Sequence, residues 1–120
     1  MARILLAEDD TSTLEVLQRA LTGDGHDVTA AHDGQEAYDA AMAADYDLLI
    51  SDVSMPVLDG VSLVEQLLTR KDQLPVILMS AVADELARAQ ALPKSRVRVV
   101  SKPLTIERLR EEVRAAIGLR

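Results

Sequence analysis

A chain of 120 residues, 48% hydrophobic, is long enough for one domain with a single core. Aromatic residues make up only 2%, so that core is aliphatic, and the absence of cysteine excludes disulfides, thiolate metal sites and cysteine nucleophiles. A formal charge of −7, spread along the chain, disfavours generic binding to a phosphate backbone and hence direct DNA binding. No apolar run approaches the ~18 residues of a membrane span. The start, Met1-Ala2-Arg3-Ile4-Leu5-Leu6-Ala7, turns acidic at once and lacks the features of a secretory signal, so a cytoplasmic location is expected.

Ile4-Leu5-Leu6-Ala7, ending in Glu8-Asp9-Asp10, reads as a first buried strand. Thr11-Ser12-Thr13 offers N-cap hydroxyls to a helix with Leu14, Leu17 and Leu21 on one face, closed by Gly23-Asp24-Gly25. Residues 26–31 partly alternate polar and apolar, as an edge strand would. After the Asp33-Gly34 turn signal, Ala37, Ala40, Ala41 and Ala44 give a second helix a small-residue face. Leu48-Leu49-Ile50-Ser51-Asp52 is a third strand that ends abruptly on a carboxylate. Asp59-Gly60 precedes a helix with Val61, Val64, Leu67 and Leu68 on its core face, closing near Arg70-Lys71. Val76-Ile77-Leu78-Met79 is a fourth buried strand ending on Ser80. Residues 84–91 form a short helix broken by Pro93. Residues 96–100 alternate at first, as the other edge strand would, and end at Ser101-Lys102-Pro103. Thr105 caps a last helix with Leu109, Val113 and Ile117 as its stripe.

Five alternations of strand and helix with short connections imply an α/β fold, a doubly wound parallel sheet covered by five helices. Strands one, three and four are apolar runs and belong in the centre, and the alternating strands two and five belong at the edges. The order 2-1-3-4-5, the flavodoxin-like arrangement, satisfies this. The whole chain, residues 1–120, reads as one domain with no appended output domain.

In such a sheet the C-terminal strand ends share one edge, where ligands bind. That edge collects Glu8, Asp9 and Asp10, then Asp52, Ser80 and Lys102. Clustered carboxylates repel one another, and a hard divalent cation bound by oxygens, Mg²⁺, relieves that repulsion. With an ammonium and a hydroxyl beside them they form a site for phosphoryl transfer, with a carboxylate as nucleophile.

Glu8-Asp9, Asp52-Val53-Ser54-Met55-Pro56 with Asp59-Gly60, Ser80-Ala81 and Lys102-Pro103 together resemble the receiver domain of two-component response regulators, over essentially the whole chain. The resemblance implies that Asp52 accepts a phosphoryl group from a histidine kinase or histidine phosphotransfer protein. It implies a Mg²⁺ site made of Glu8, Asp9, Asp52 and the backbone carbonyl of Ser54, with Glu8 acting through water. Ser80 becomes the switch hydroxyl, Lys102 the phosphoryl-binding ammonium, and the peptide before Pro103 is expected to be cis. Phosphorylation would then alter the face of strands four and five and the adjoining helices, which controls a protein partner. As in stand-alone receivers, the chain itself is a switch rather than an enzyme, apart from its own phosphotransfer and dephosphorylation. Residues 3–10 and 99–103 also resemble the alphaproteobacterial regulators of polar proteolysis.

Some positions depart from that pattern. Val99 stands where the family often has an aromatic, and Ala91-Leu92-Pro93-Lys94-Ser95 replaces its usual Gly-Ala pair. Ser54 and Val82, at positions that tune dephosphorylation, offer no strong acid, base or amide, so slow hydrolysis is expected. Asp10 reads equally as a helix cap or a site acid, Asp59 as an N-cap, His26 and His32 as surface residues, and Tyr38 and Tyr46 as packing residues. The charges of the last helix, Glu111 and Glu112 included, read as a solvated face. Two other functions use the same residues: a Mg²⁺-dependent phosphohydrolase with an aspartyl nucleophile, and a docking module that needs no phosphorylation. The first would show Asp-x-Asp at the first strand end, whereas Glu8-Asp9-Asp10 is contiguous.

Overall fold

The computed structural model describes residues 1–118; Leu119 and Arg120, the last two of the expected domain, lie outside the described residues. The elements run β1 (Arg3–Ala7), α1 (Thr11–Gly23), β2 (Asp27–Ala31), α2 (Gly34–Ala43), β3 (Leu48–Asp52), α3 (Gly60–Arg70), β4 (Val76–Ser80), α4 (Ala83–Gln90), β5 (Val97–Ser101) and α5 (Ile106–Ile117). All strand pairs are parallel, in the order β2-β1-β3-β4-β5.

The period of two along each strand sends alternate side chains to opposite faces. Ile4 and Leu6, Leu48 and Ile50, and Ile77 and Met79 face a core closed by Leu14, Leu17 and Leu21 of α1 and Leu109 and Val113 of α5. Leu5 and Ala7, Leu49, and Val76 and Leu78 face the other core, closed by Ala37 and Ala41 of α2, Val61, Leu63, Val64 and Leu67 of α3, and Ala89 of α4. β3 and β4 are buried along their full length, whereas β2 and β5 are only partly covered. Central and edge strands are therefore those read from the apolar pattern.

Local details differ from the sequence reading. Thr11, Ser12 and Thr13 are the first turn of α1, and Asp10 is its extended N-cap. The Thr13 hydroxyl donates to Asp10 Oδ2 at 2.6 Å. Asp33 is not only a turn residue, because its carboxylate accepts from the Glu36 N–H at 2.7 Å and caps α2. Asp59 and Thr105 cap α3 and α5, as their positions imply. His26 is half-buried rather than on the surface, and its Nδ1 accepts from the Ala2 N–H at 3.1 Å. His32 is exposed beside Glu36. Tyr38 and Tyr46 pack on the core, and Arg3 lies over the Tyr46 ring at 5.2 Å.

Glu112 departs furthest from expectation. It is only 8% exposed, and its two carboxylate oxygens accept from Arg98 Nε at 2.8 Å and Arg108 Nε at 2.9 Å. A buried carboxylate needs such partners, and here they tie α5 to β5. Arg96, just before β5, ties that strand to the end of α3 and the α3–β4 connection by donating to the carbonyls of Leu68, Lys71 and Leu74.

Candidate phosphoryl and metal site

Strand pairing at or just past the strand ends places Glu8, Asp52, Ser80 and Lys102. The Glu8 N–H donates to the Ala31 carbonyl at 3.0 Å, extending the β1–β2 ladder and holding a glutamate that is 1% exposed. Asp52, 7% exposed, is the last residue of β3 and pairs with Met79, so Ser80 lies one step beyond it on the neighbouring strand. The Lys102 N–H donates to the Ser80 carbonyl at 2.9 Å, which carries Lys102 in beside the end of β4. The Lys102–Pro103 peptide is cis, as expected.

These placements bring one carboxylate oxygen each of Glu8, Asp9 and Asp52 within 4.8 Å of one another. Lys102 Nζ donates to Asp52 Oδ2 at 2.8 Å and to Glu8 Oε1 at 3.2 Å. Burial pushes the Glu8 carboxyl up and the Asp52 charge adds to this; the Asp10 N–H and Lys102 pull the other way without cancelling it. Burial pulls the Lys102 ammonium down, but Asp52 and Glu8 outweigh it and the net displacement is upward. Three carboxylates facing one ammonium leave negative charge uncompensated. Asp9 is exposed, so the cluster opens to solvent on its side. An all-oxygen, partly open cluster suits a hard divalent ion that keeps several waters, and the residues fit Mg²⁺.

The loop after β3 carries Ser54, which is exposed. Leu58 N–H donates to the Pro56 carbonyl at 2.8 Å, closing a tight turn around Val57, whose φ is +72°. Two glycines let helices press against this loop. A Cβ on Gly60 would lie 2.3 Å from the Asp52 carbonyl oxygen, and one on Gly34 would lie 1.8 Å from that of Leu58. The starts of α3 and α2 thus brace the loop from two sides.

Not every strand-end residue joins the cluster. Asp10 turns its carboxylate to Thr13, whose hydroxyl holds it below the usual aspartate value, and gives only its N–H to Glu8 Oε2, at 3.2 Å. Ser80, 1% exposed, donates to Glu85 Oε1 at 2.5 Å and accepts from the Val82 N–H at 3.0 Å. Glu85 was not singled out by sequence reasoning; an acid in the first turn after a strand-end serine is the signal that could have found it. Asp59, beyond capping α3, lies 3.4 Å from Arg88 of α4.

The family model for the response regulator receiver domain matches residues 4–114. The chain belongs to this family. It is the receiver domain of a two-component response regulator, which implies phosphorylation-dependent signalling. The receiver is 36% identical over 115 residues to the response regulator MprA of Mycobacterium avium, covering 96% of this chain and 50% of that protein. It therefore spans about half the length of the curated relatives it matches. Among solved structures it is similar to the chemotaxis response regulator CheY4 of Vibrio cholerae, with a TM-score of 0.86, 26% identity, and coverage of 97% of this chain and 98% of that one. It is also similar to TrrA of Thermotoga maritima, solved in complex with Mg²⁺ and BeF, with a TM-score of 0.85, 26% identity, and coverage of 97% and 99%. Among the described residues of the receiver, no helix is long and apolar enough to cross a membrane.

Proposed function

We propose that Asp52 accepts a phosphoryl group from a phosphohistidine donor, on a histidine kinase or histidine phosphotransfer protein, and that the acyl phosphate switches this domain's hold on a protein partner in the cytoplasm. One observation carries the reading. The carboxylates of Glu8, Asp9 and Asp52 converge within 4.8 Å while Lys102 Nζ sits 2.8 Å from Asp52 Oδ2, so nucleophile, cation ligands and a charge for the phosphoryl oxygens share one strand-end edge.

In the transfer, an Asp52 carboxylate oxygen attacks phosphorus as the P–N bond of the donor breaks. The bonding pair stays on the imidazole nitrogen of the donor. Lys102 exchanges its contact with the free carboxylate for the phosphoryl oxygens, and Ser80 donates its hydroxyl proton to one of them. Glu8, Asp9, Asp52 and the Ser54 carbonyl would hold Mg²⁺, which when bound neutralises the carboxylates and the incoming phosphoryl charge. The exposed side of Asp9 leaves room for the donor to approach. Neither Ser54 nor Val82 offers an acid, base or amide to orient an attacking water, so the acyl phosphate of this receiver is long-lived without a helper.

Intact mass after incubation with Mg²⁺ and acetyl phosphate or phosphoramidate tests this. One added phosphoryl group on the wild type and none on Asp52→Asn is the expected result. Equal labelling of both, or labelling of neither by a small donor or a phosphorylated kinase, overturns it. Steady turnover of a phosphate ester would instead favour a phosphohydrolase.

A further inference from the structure

Ser80 ends β4 in a fully buried position, and both described hydrogen bonds of its hydroxyl run toward α4. Its Oγ accepts from the Val82 N–H at 3.0 Å and donates to Glu85 Oε1 at 2.5 Å. A serine hydroxyl has a single proton to donate. A phosphoryl group on Asp52 presents oxygens that only accept, so Ser80 can serve it only by giving up the bond to Glu85. Two anions compete for one proton.

The competition is built into the way α4 begins. Its N-cap residue, Val82, has no side chain that could cap, and no side-chain cap bond is made there. In a capping box an acid at the third helical position reaches back to the N-cap N–H. Glu85 holds that third position, but the Val82 N–H is already satisfied by Ser80 Oγ, and the carboxylate takes the Ser80 hydroxyl instead. Ser80 thus stands in for the acid of a capping box at the Val82 N–H, and Glu85 ties the first turn of α4 to Ser80.

We propose that Glu85 is a positioning residue that holds the Ser80 proton away from the phosphoryl site, so that recruitment of Ser80 by phosphorylated Asp52 requires release of the first turn of α4. This rests on the phosphoacceptor reading of Asp52 and adds to it a regulatory element. Glu85 lowers the affinity of the site for a phosphoryl group by the strength of its own hold on Ser80. It also converts an event at Ser80 into a change at α4, where Glu85 is left without its donor. Val99, which has no aromatic ring to rotate, is not needed for that transmission.

The test is the affinity of the full chain for beryllofluoride at saturating Mg²⁺, read by fluorine NMR or calorimetry. It compares wild type, Glu85→Ala, Glu85→Gln, Ser80→Ala and the Ser80→Ala/Glu85→Ala double variant. A charge-assisted hydrogen bond of this kind makes Glu85→Ala bind about tenfold tighter than wild type. Glu85→Gln, isosteric and a weaker acceptor, tightens less, and it keeps the test open should the alanine variant fold poorly. In the Ser80→Ala background Glu85→Ala changes nothing, which separates competition for the hydroxyl from a general loosening of α4. Unchanged or weaker binding by both Glu85 variants overturns the proposal, as does equal tightening in the Ser80→Ala background. Failure of every protein to bind, the wild type included, overturns the phosphoacceptor reading itself, whereas binding by wild type with no effect of Glu85 overturns this inference alone.

Discussion

Lys102 Nζ lies 2.8 Å from Asp52 Oδ2, joining two groups 50 positions apart in the chain. The same ammonium reaches Glu8 Oε1 at 3.2 Å, so one cation steadies two buried carboxylates. Lys102→Ala leaves Glu8, Asp9 and Asp52 facing one another without a counter-charge. Without divalent ions the variant is expected to lose about 3 kcal/mol of stability, the low end of the range for a broken buried pair because Lys102 is partly exposed. Mg²⁺ at tenfold over its Kd adds about 1.4 kcal/mol to the wild type by mass action. It should add more to the variant, whose site is more negative. Thermal unfolding with Mg²⁺ and with a chelator measures both increments; equal increments contradict the assignment of these carboxylates to a shared cation site.

Val57 is a β-branched residue at φ +72°, a conformation that L-residues adopt at a cost of about 1–2 kcal/mol. It is 79% exposed, so little packing is lost when it is replaced. The Leu58-to-Pro56 hydrogen bond makes Val57 the centre of a γ-turn that a residue without a Cβ adopts freely. Val57→Gly is therefore expected to stabilise the domain by up to about 1 kcal/mol, a gain offset in part by the greater freedom of glycine when unfolded. Denaturant titration reads the change, and a loss of stability would show that the valine side chain makes a contribution of its own.

Gly34 behaves in the opposite way. A Cβ there would fall 1.8 Å from the Leu58 carbonyl oxygen, backbone against backbone, and the loop after β3 would have to move. Gly34→Ala is expected to cost at least about 1–3 kcal/mol, the range for overpacking, although alanine is the better helix former. Because that loop also carries Ser54, Mg²⁺ affinity should fall together with stability. Calorimetric Mg²⁺ titration of the folded variant checks the second half.

Glu112 gives the domain a defined response to acid. Burial alone would raise its carboxyl, but hydrogen bonds and charge from Arg98 and Arg108 more than reverse this and hold it below its ordinary value of 4.5. A carboxyl lowered on folding contributes stability above its unfolded value and loses it as pH falls through the folded one. Glu112→Gln should therefore be less stable than wild type at neutral pH, with the gap closing as pH drops below 4.5. Urea unfolding across that range is the measurement; a gap independent of pH would mean that the ion pairs contribute nothing.

The architecture was legible because burial writes itself into strands directly. The apolar runs of β1, β3 and β4 and the polar alternation of β2 and β5 specify centre and edge, and edge strands with short crossovers leave few orders. The cluster of Glu8, Asp9, Asp52 and Lys102 followed because parallel strand ends share an edge. What the sequence did not show depends on contacts between distant elements or on choices between equivalent neighbours. Asp10 and Thr11 are both competent caps, and only the backbone conformation decides between them. Glu112 has its i,i+4 partner Arg108 in view, but Arg98, which helps bury it, comes from β5. The turning of Ser80 toward Glu85 depends on the path of the β4–α4 connection, and the close approach of Gly34 to Leu58 is fixed by how α2 docks.

The candidate site draws its parts from the ends of β1, β3, β4 and β5, and β5, with Lys102 just past its end, pairs among the described residues with β4 alone. A chain leaving the ribosome holds Glu8, Asp9 and Asp52 long before the ammonium that balances them is synthesised. Until residue 102 has emerged and β5 has docked, those acids are not held beside an ammonium. On the proposed reading, the site is completed only when the last strand docks, so competence to accept a phosphoryl group would be a property of the finished fold.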